Sequence, residues 1–308
     1  VYVIFGASGN VGRATVEALR RAGVPVRAVL RDERCARPFE RLGCEVAYAD
    51  MSRSVEIARA MAGARAVQIL CPVPRDDPQP EETMRRTIDA VSAALRAAPP
   101  PVLLALSDYG AEVPSGTGIT TLFHEMEEQW RDLASRSSML RSAEHMHNWA
   151  RVIPAALATG TLPSFHHPVS KHFPTVAASD VGGVAAALLL DSESGSQRRI
   201  VSVEGERRID VCEVAQALSR ASGRDIEAIE LPRGEWERTL LSAGMSPAYV
   251  RLIVELYDAH NAGRIDVEPG LSERRFGETT IDTVFAGLVP SGAAARIVPP
   301  GHDEGARR

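Results

Sequence analysis

The sequence predicts an α/β fold, a doubly wound parallel sheet with helices on both faces and a smaller, mostly helical substrate-capping region. Three observations predict it. Short apolar runs alternate with stretches of helical periodicity through the first half, the pattern of βαβ units. A glycine-rich turn, Gly6-Ala7-Ser8-Gly9-Asn10-Val11-Gly12, joins the first apolar run to the first helical stretch. After Asp210 the patterning becomes mostly helical, as a cap over one end of a sheet requires.

The elements follow in order. Val1–Phe5, Val26–Leu30, Glu45–Ala49, Ala66–Leu70 and Val102–Leu106 read as strands. Asn10–Ala22 carries Val11, Ala14, Ala18, Leu19 and Ala22 on one helical face, and Ser54–Met61 and Glu81–Ala97 read as further helices. Ile119–Ser135 lines up Leu122, Met126, Trp130 and Leu133 along one stripe, and a short strand at Met139–Arg141 follows, turning into a helix toward Trp149. Leu162–Pro174 reads as irregular. Ser179–Leu190 reads as a helix with Ser179 or Asp180 as N-cap, and Arg199–Val203 as a strand. Helices are expected at Val211–Ser222, Arg233–Ala243, Pro247–Ala262 and Ile281–Ala286. Residues 1–160 form the expected dinucleotide-binding domain, with 175–205 returning to it. Residues 161–174 and 206–290 form the cap, and 291–308 a flexible tail.

Length and composition bound the function. At about 150 residues per domain, 308 residues suggest two domains or one with an appendage. A hydrophobic share of 44% and a charged share of 24% argue against global disorder. With 35 basic and 40 acidic residues the net charge is −5, which disfavours direct nucleic-acid binding by phosphate neutralisation. Lys171 is the single lysine; every other basic residue is arginine. Cys35, Cys44, Cys71 and Cys212 form no C-x-x-C pair and match no zinc spacing, so small buried thiols and a reducing cytoplasm are expected. The longest apolar run, Val181–Leu190, is too short to span a bilayer. The chain opens on a strand-like run with no visible signal peptide, and it lacks an initiator methionine, so a residue or more is expected before Val1.

The clearest chemical signal is the glycine turn. Small residues let the backbone turn tightly and approach a pyrophosphate, and the helix that follows offers free N–H groups and a positive dipole end. This predicts a Rossmann-type dinucleotide site made by Gly6, Ala7, Ser8, Gly9, Asn10, Val11 and Gly12. The spacing is G-x-x-G-x-x-G, and here the chain resembles the short-chain dehydrogenase superfamily, within it the atypical, NmrA-like branch. Val29-Leu30-Arg31-Asp32, Ala49-Asp50, Ala62-Gly63-Ala64-Arg65-Ala66-Val67, Leu106-Ser107, Leu140-Arg141-Ser142 and Thr175–Gly182 carry the likeness in the same order across nearly all of residues 1–290. The resemblance implies that Asp50 and Met51 flank the adenine, and that Cys71, Pro72 and Ser107 lie near the nicotinamide ribose and ring. Arg31 ends the second strand, where an NAD-preferring site commonly has an acid for the ribose diol. A guanidinium there grips a 2′-phosphate, which favours NADP(H), with Arg34 as a second contact. A solvated surface arginine is the plainer alternative, and Asp32 keeps NAD(H) open.

The usual proton-transfer pair is missing. Classical members use Tyr-x-x-x-Lys, and none of Tyr2, Tyr48, Tyr109, Tyr249 and Tyr257 has a lysine four residues on. The lysine of the isoflavone-reductase-like relatives is absent too. The helix instead carries His124 and Glu128 on one face, an H-x-x-x-E pair similar to that of NmrA-like quinone reductases. His124 and Tyr109 are therefore the candidate proton donors, with a surface pair and loop packing as their plainer readings. His145, His147, His166, His167 and His172 cluster in sequence, but no carboxylate or cysteine completes a metal set, so no metal is expected and the segment reads as cleft lining. Trp236 and Tyr257 read as packing of the cap.

Loss of the pair suits an acceptor that is itself electrophilic, because positioning of the nicotinamide then does most of the work. The expected function is an NADPH-dependent oxidoreductase transferring hydride to a quinone-like or other conjugated small molecule, with no membrane partner. The alternative is a catalytically silent NAD(P)-sensing regulator with a protein partner. Oligomeric state is not readable from these residues.

Overall fold

A computed structural model describes residues 1–191 and 197–289. The first half alternates strictly: β1 (Tyr2–Phe5), α1 (Asn10–Arg21), β2 (Val26–Leu30), α2 (Arg37–Arg41), β3 (Glu45–Tyr48), α3 (Ser54–Met61), β4 (Ala66–Ile69), α4 (Pro80–Ala97), β5 (Val102–Asp108), α5 (Ile119–Trp130) and β6 (Arg136–Ser142). The second half runs β7 (Glu144–His145), α6 (Ile153–Thr159), β8 (Thr161–Ser164), β9 (Thr175–Val176), α7 (Ala178–Leu190), β10 (Arg198–Gly205), α8 (Val211–Ser222), β11 (Glu227–Glu230), α9 (Trp236–Ser242), α10 (Pro247–Asn261), β12 (Glu273–Gly277) and α11 (Ile281–Leu288). Eight strands form one parallel sheet in the order β12-β10-β6-β5-β4-β1-β2-β3. β1 pairs with both β2 and β4, through Tyr2↔Val26 and Tyr2↔Ala66, so strand order reverses beside it. In an open α/β sheet the crevice at the carboxyl ends of such strands is where ligands bind.

The strands are apolar on both faces because both are covered. Along β1, Tyr2 and Ile4 join the core under α1 and α7, whereas Val3 and Phe5 join the core under α3, α4 and α5. On that second face Trp130 is fully buried, and its indole N–H donates to Ser92 Oγ at 3.0 Å, pinning α5 to α4. α1 and α7 pack side by side on the first face. Gly182 permits their approach: a Cβ there would lie 2.4 Å from Ala14 Cβ and 2.8 Å from the Thr15 nitrogen.

The cap has two small cores of its own. Trp149, Ile153, Leu162, Val214, Leu218 and Phe285 centre one; Trp236, Leu240, Val250 and Val254 form the other. α8 starts on a capping box in which Asp210 and Glu213 exchange bonds. α10 ends on the single lysine: Lys171 Nζ donates to the carbonyls of His260 at 2.8 Å and Asn261 at 2.9 Å. Its task is to satisfy carbonyls that the helix leaves without partners. Among the described residues no helix is long and apolar enough to cross a membrane.

Several local expectations are corrected. Neither Ser179 nor Asp180 caps α7, which begins after Ala177 without a side-chain cap. Asp180 lies inside the first turn, and its carboxylate accepts from Thr279 N at 2.9 Å and Thr279 Oγ1 at 2.7 Å. A tertiary partner displaces the local one. The stretch after Arg141 forms no helix directly: β6 runs to Ser142, Glu144–His145 pairs with Thr175–Val176, and Met146–Arg151 is a 3₁₀ turn. Within the stretch read as irregular, β8 pairs with β11. β12 lies in the stretch assigned to the cap, yet it pairs with β10 and extends the main sheet. Its sequence, Glu-Arg-Arg-Phe-Gly, is that of a charged edge strand and carries no apolar run. The expected tail, 291–308, lies outside the described residues.

Gly182→Ala tests the α1–α7 contact. Alanine adds helix propensity of up to about 1 kcal/mol. The overlap with Ala14 and Thr15 outweighs this, and overpacking of this kind costs about 1–3 kcal/mol. The variant is expected to unfold at lower denaturant concentration with an unchanged m-value, as read by far-UV circular dichroism.

Candidate cofactor cleft and substrate pocket

The glycine turn is shaped by contacts that exclude side chains. Gly6 sits at φ +68°, a region that favours glycine, and Gly9 N donates to Gly6 O at 3.0 Å to close the turn. A Cβ on Gly12 would lie 2.2 Å from Gly6 O, which is backbone and cannot yield. Gly9 is the N-cap of α1 and supplies no side chain to its first N–H groups. Ala7, Val11 and Gly12 are buried, whereas Ser8, Gly9 and Asn10 are exposed. The result is an anion cradle at the end of β1, with the positive end of a twelve-residue helix behind it. A dinucleotide pyrophosphate fits such a cradle, because the first N–H groups of α1 have no side-chain cap and the bare Gly12 lets the turn close against Gly6.

Around the adenosine end, Arg31 and Asp50 are exposed and Met51 is half-buried, at the ends of β2 and β3. Arg34 is committed to Asp32, donating to it through both Nε and its backbone N–H at 2.9 Å. That hydrogen-bonded guanidinium holds the Asp32 carboxyl at about 2. Arg31 pairs with no carboxylate among the described residues, so it is the guanidinium at this strand end that is free to meet a phosphate. Asp50 accepts from Ser52 N and Ser52 Oγ, both at 2.8 Å, and these bonds hold its carboxyl below the usual range.

A cavity of about 610 Å³ begins at the glycine turn and continues beneath the cap. Gly6, Gly9, Asn10, Val11 and Gly12 line its mouth, and Cys71, Ser107 and Tyr109 line its floor. Pro72, next to Cys71, is exposed. Burial pushes the Cys71 thiol far up, so it is an inert wall. Ser107 Oγ donates to Glu127 Oε1 at 2.5 Å. Glu127 in turn accepts from Arg141 Nε at 2.9 Å and Nη2 at 2.7 Å, and Arg141 Nη1 reaches Glu112 at 2.8 Å and Glu268 at 2.6 Å.

The two candidate proton donors are placed differently. His124 does not line the cavity: its Nδ1 bonds Ala111 O at 2.8 Å, while its neighbour Phe123 takes the cavity wall. Glu128 pairs with Arg131, so the H-x-x-x-E spacing makes no pair. Tyr109 lines the cavity, but its ring is 2% exposed and its hydroxyl meets no polar partner among the described residues. Burial drives its phenol well above the usual range.

The cavity collects other titratable groups instead. Glu144 Oε2 pairs with His166 Nε2 at 2.9 Å, and His166 stacks on Phe173 with ring centroids 4.0 Å apart. Burial opposes ionisation of Glu144, yet the paired His166 holds it below the usual range. His145 and His260 are each pushed to about 4 by burial. Tyr257 packs edge-on to His166 at 5.1 Å and beside Phe165 at 5.1 Å. At the carboxyl end of β5, Asp108 accepts from Thr120 Oγ1 at 3.0 Å and from Tyr109 N at 3.1 Å. Burial, reinforced by the negative charge of Glu144, raises its carboxyl to about 7 against those two bonds. Asp108 stands between two residues that the sequence had marked, Ser107 and Tyr109; an acid at that strand end was the available signal. Glu144 was a candidate for the pocket whose direction the sequence did not fix, because that direction depends on the β7–β9 pairing.

The histidine cluster divides. His145 and His166 line the cavity, while His147 accepts weakly from Ala178 N at 3.5 Å. His167 stacks edge-on against Trp236. His172, Asp210 and Glu213 bring ligand-type atoms within 4.8 Å of one another. Glu213 is already tied to the capping box and to Arg207, an arrangement that needs no ion.

Stability should report the buried histidines. A histidine whose folded value is about 4 stays neutral while the unfolded chain, near 6.5, takes up a proton. Each therefore favours unfolding progressively as pH falls from about 6.5 to about 4. Asp108 acts oppositely over much of the same window, because its folded form holds the proton more tightly than the unfolded chain. Replacing His260 by glutamine is expected to flatten the fall in melting temperature between pH 6.5 and 4; an unchanged slope would count against neutral burial.

Residues 1–283 match the NmrA-like family, and the chain belongs to it. It is 24% identical over 277 residues to an NAD(P)H azoreductase of Xenophilus azovorans, covering 88% of this chain and 93% of that one. It is 21% identical over 255 residues to quinone oxidoreductase 2 of Escherichia coli K12, covering 82% and 85% respectively. Its fold is similar to the crystal structure of a Citrobacter sp. triphenylmethane reductase complexed with NADP(H), with a TM-score of 0.77, 19% identity, and 94% and 100% of the two chains covered.

Proposed function

We propose that this member of the NmrA-like family is an NADPH-dependent reductase that transfers hydride to a quinone-like or other conjugated small molecule, without a Tyr-x-x-x-Lys pair. The observation that carries the reading is continuity: one cavity joins the glycine turn to a pocket walled by Phe123, Phe165, Tyr249 and Tyr257. A cofactor seated on the turn would place its reactive end at Ser107 and Cys71, facing that aromatic wall. NADPH supplies hydride when bound. The residues supply position: the turn and the start of α1 hold the pyrophosphate, Arg31 meets the 2′-phosphate, and Ser107, fixed by Glu127, meets the ribose or ring. Flat aromatic side chains suit a flat acceptor.

The relatives act on azo, quinone and triphenylmethane acceptors by name. These share a conjugated electrophilic system that accepts hydride without strong activation. That chemistry agrees with a pocket that has no tyrosine–lysine pair. The extension of the cavity beyond the glycine turn also favours turnover over silent dinucleotide sensing, which needs the cofactor cleft alone. A reducing cytoplasm would supply NADPH and keep the free cysteines reduced.

Titration with NADPH and NADH, followed by turnover with a quinone, an azo dye and a triphenylmethane dye, tests the reading. NADPH is expected to bind at micromolar levels and to be oxidised with at least one acceptor. Failure of both nucleotides to bind at millimolar levels would refute it, and binding without turnover would favour the sensor. Arg31→Ala is expected to weaken NADPH about tenfold, or about 1.4 kcal/mol, while leaving NADH within twofold. Gly12→Ala is expected to abolish binding of both nucleotides while the sheet stays folded, as read by calorimetry and circular dichroism.

A further inference from the structure

Among the described residues two carboxyl groups line the cavity, those of Asp108 and Glu144. Their surroundings differ in kind. Glu144 is matched by His166 at 2.9 Å, a partner suited to an ionised carboxylate. Asp108 has no cation partner among the described residues. Its oxygens accept from the uncharged Thr120 hydroxyl at 3.0 Å and the Tyr109 backbone N–H at 3.1 Å, and it shares its cavity with the Glu144 carboxylate. Its place also matters. Asp108 follows Ser107 at the end of β5 and lines the same cavity as the glycine turn and the aromatic wall. A carboxyl in that place, sharing its cavity with a second carboxylate and without a cation partner, is built to hold a proton rather than a charge.

We propose that Asp108 is the proton donor that completes reduction of the acceptor. The inference rests on the reductase reading above. A quinone or azo acceptor would take up hydride from NADPH, which would leave as NADP⁺, and a proton from the Asp108 carboxyl. The Asp108 O–H bond breaks as an O–H or N–H bond forms on the acceptor. The carboxylate left behind regains its proton from water at the cleft. Two electrons and two hydrogens are thus added to the acceptor, with one proton drawn from solvent per turnover. The role that Tyr-x-x-x-Lys fills elsewhere passes to a half-buried acid, and His124, turned to Ala111, is not needed for it.

The titratable or charged groups that share the cavity are Cys71 after β4, Glu144 and His145 from β7, Arg151 from the turn after it, His166 from the β8–β9 connection, and Tyr249, Tyr257 and His260 from α10; α5 turns Ile119 and Phe123 to it. β5 adds Tyr109 beside Asp108, and the glycine turn adds no charge.

The test compares wild type, Asp108→Asn and Thr120→Val, using the better of the quinone and azo acceptors, because a triphenylmethane cation takes hydride with no proton; turnover confined to the triphenylmethane dye overturns the proposal. Three quantities are read: kcat/KM against pH, NADPH affinity, and titration of ¹³C-labelled aspartate carboxyls without cofactor or acceptor. In wild type one carboxyl should titrate near pH 7, and kcat/KM should fall as pH rises through the same midpoint. Asp108→Asn should remove that resonance, lower kcat on the order of 100-fold, flatten the pH profile, and keep NADPH affinity within twofold. Thr120→Val removes a bond that favours the ionised form, so the midpoint should move upward in both the titration and the rate profile. Retention of wild-type kcat and pH profile by Asp108→Asn overturns the proposal. So does a wild-type spectrum with no aspartate titrating near neutrality. If Asp108→Asn does not fold, an unmoved midpoint in Thr120→Val overturns it. Absence of wild-type turnover with every acceptor overturns the reductase reading together with this one; turnover unaffected by Asp108→Asn overturns this one alone.

Discussion

One buried guanidinium ties the sheet, its covering helices and the cap together. Arg141, 3% exposed on β6, meets Glu127 of α5, Glu112 of the loop after β5, and Glu268 of the connection between α10 and β12. A charge removed from water needs such company, because leaving it unpaired costs on the order of 3–5 kcal/mol. Three separate segments must therefore arrive together for the network to be satisfied. The cavity floor depends on it directly, because Glu127 also fixes the Ser107 hydroxyl. A cap that dissociated from the sheet would strip Glu268 from Arg141, so the lid of the pocket and the position of a cofactor-facing serine are linked by one set of hydrogen bonds.

Above that floor, burial sorts the titratable groups into distinct states. His145 and His260 are held neutral by desolvation, Glu144 is held ionised by its pairing with His166, and Asp108 is left with a carboxyl near neutrality. The same low-dielectric setting produces all these outcomes, and the difference lies in which hydrogen-bonding partner reaches each group. The single lysine takes no part in it, since its Nζ donates to two carbonyls at the end of α10.

The sheet was legible because its signals are local. Strands buried on both faces read as apolar runs, and the helices between them read as amphipathic stripes; β1, β2, β4, α1 and α4 fall within a residue or so of their expected bounds. The glycine turn was legible for the same reason, since each glycine answers a contact within seven residues of itself or a positive φ. β12 was not legible. An edge strand of alternating charge has no apolar run, and its pairing with β10 is settled only when the chain returns from the cap. Asp180 misled in a different way: a residue type that caps helices when only local partners compete was claimed by Thr279, ninety-nine positions away.

The sequence by itself determined the doubly wound sheet, the dinucleotide turn and the absence of a Tyr-x-x-x-Lys pair, because periodicity, glycine spacing and residue identity are properties of neighbouring positions. Only the tertiary structure decided which polar side chains face the pocket. It turned His124 to a backbone carbonyl, gathered Glu144, His166 and His260 from three segments, and left Asp108 without a cation. The physical reason is that the state of a buried ionisable group depends on what desolvates it and what donates to it, and those neighbours come from distant parts of the chain.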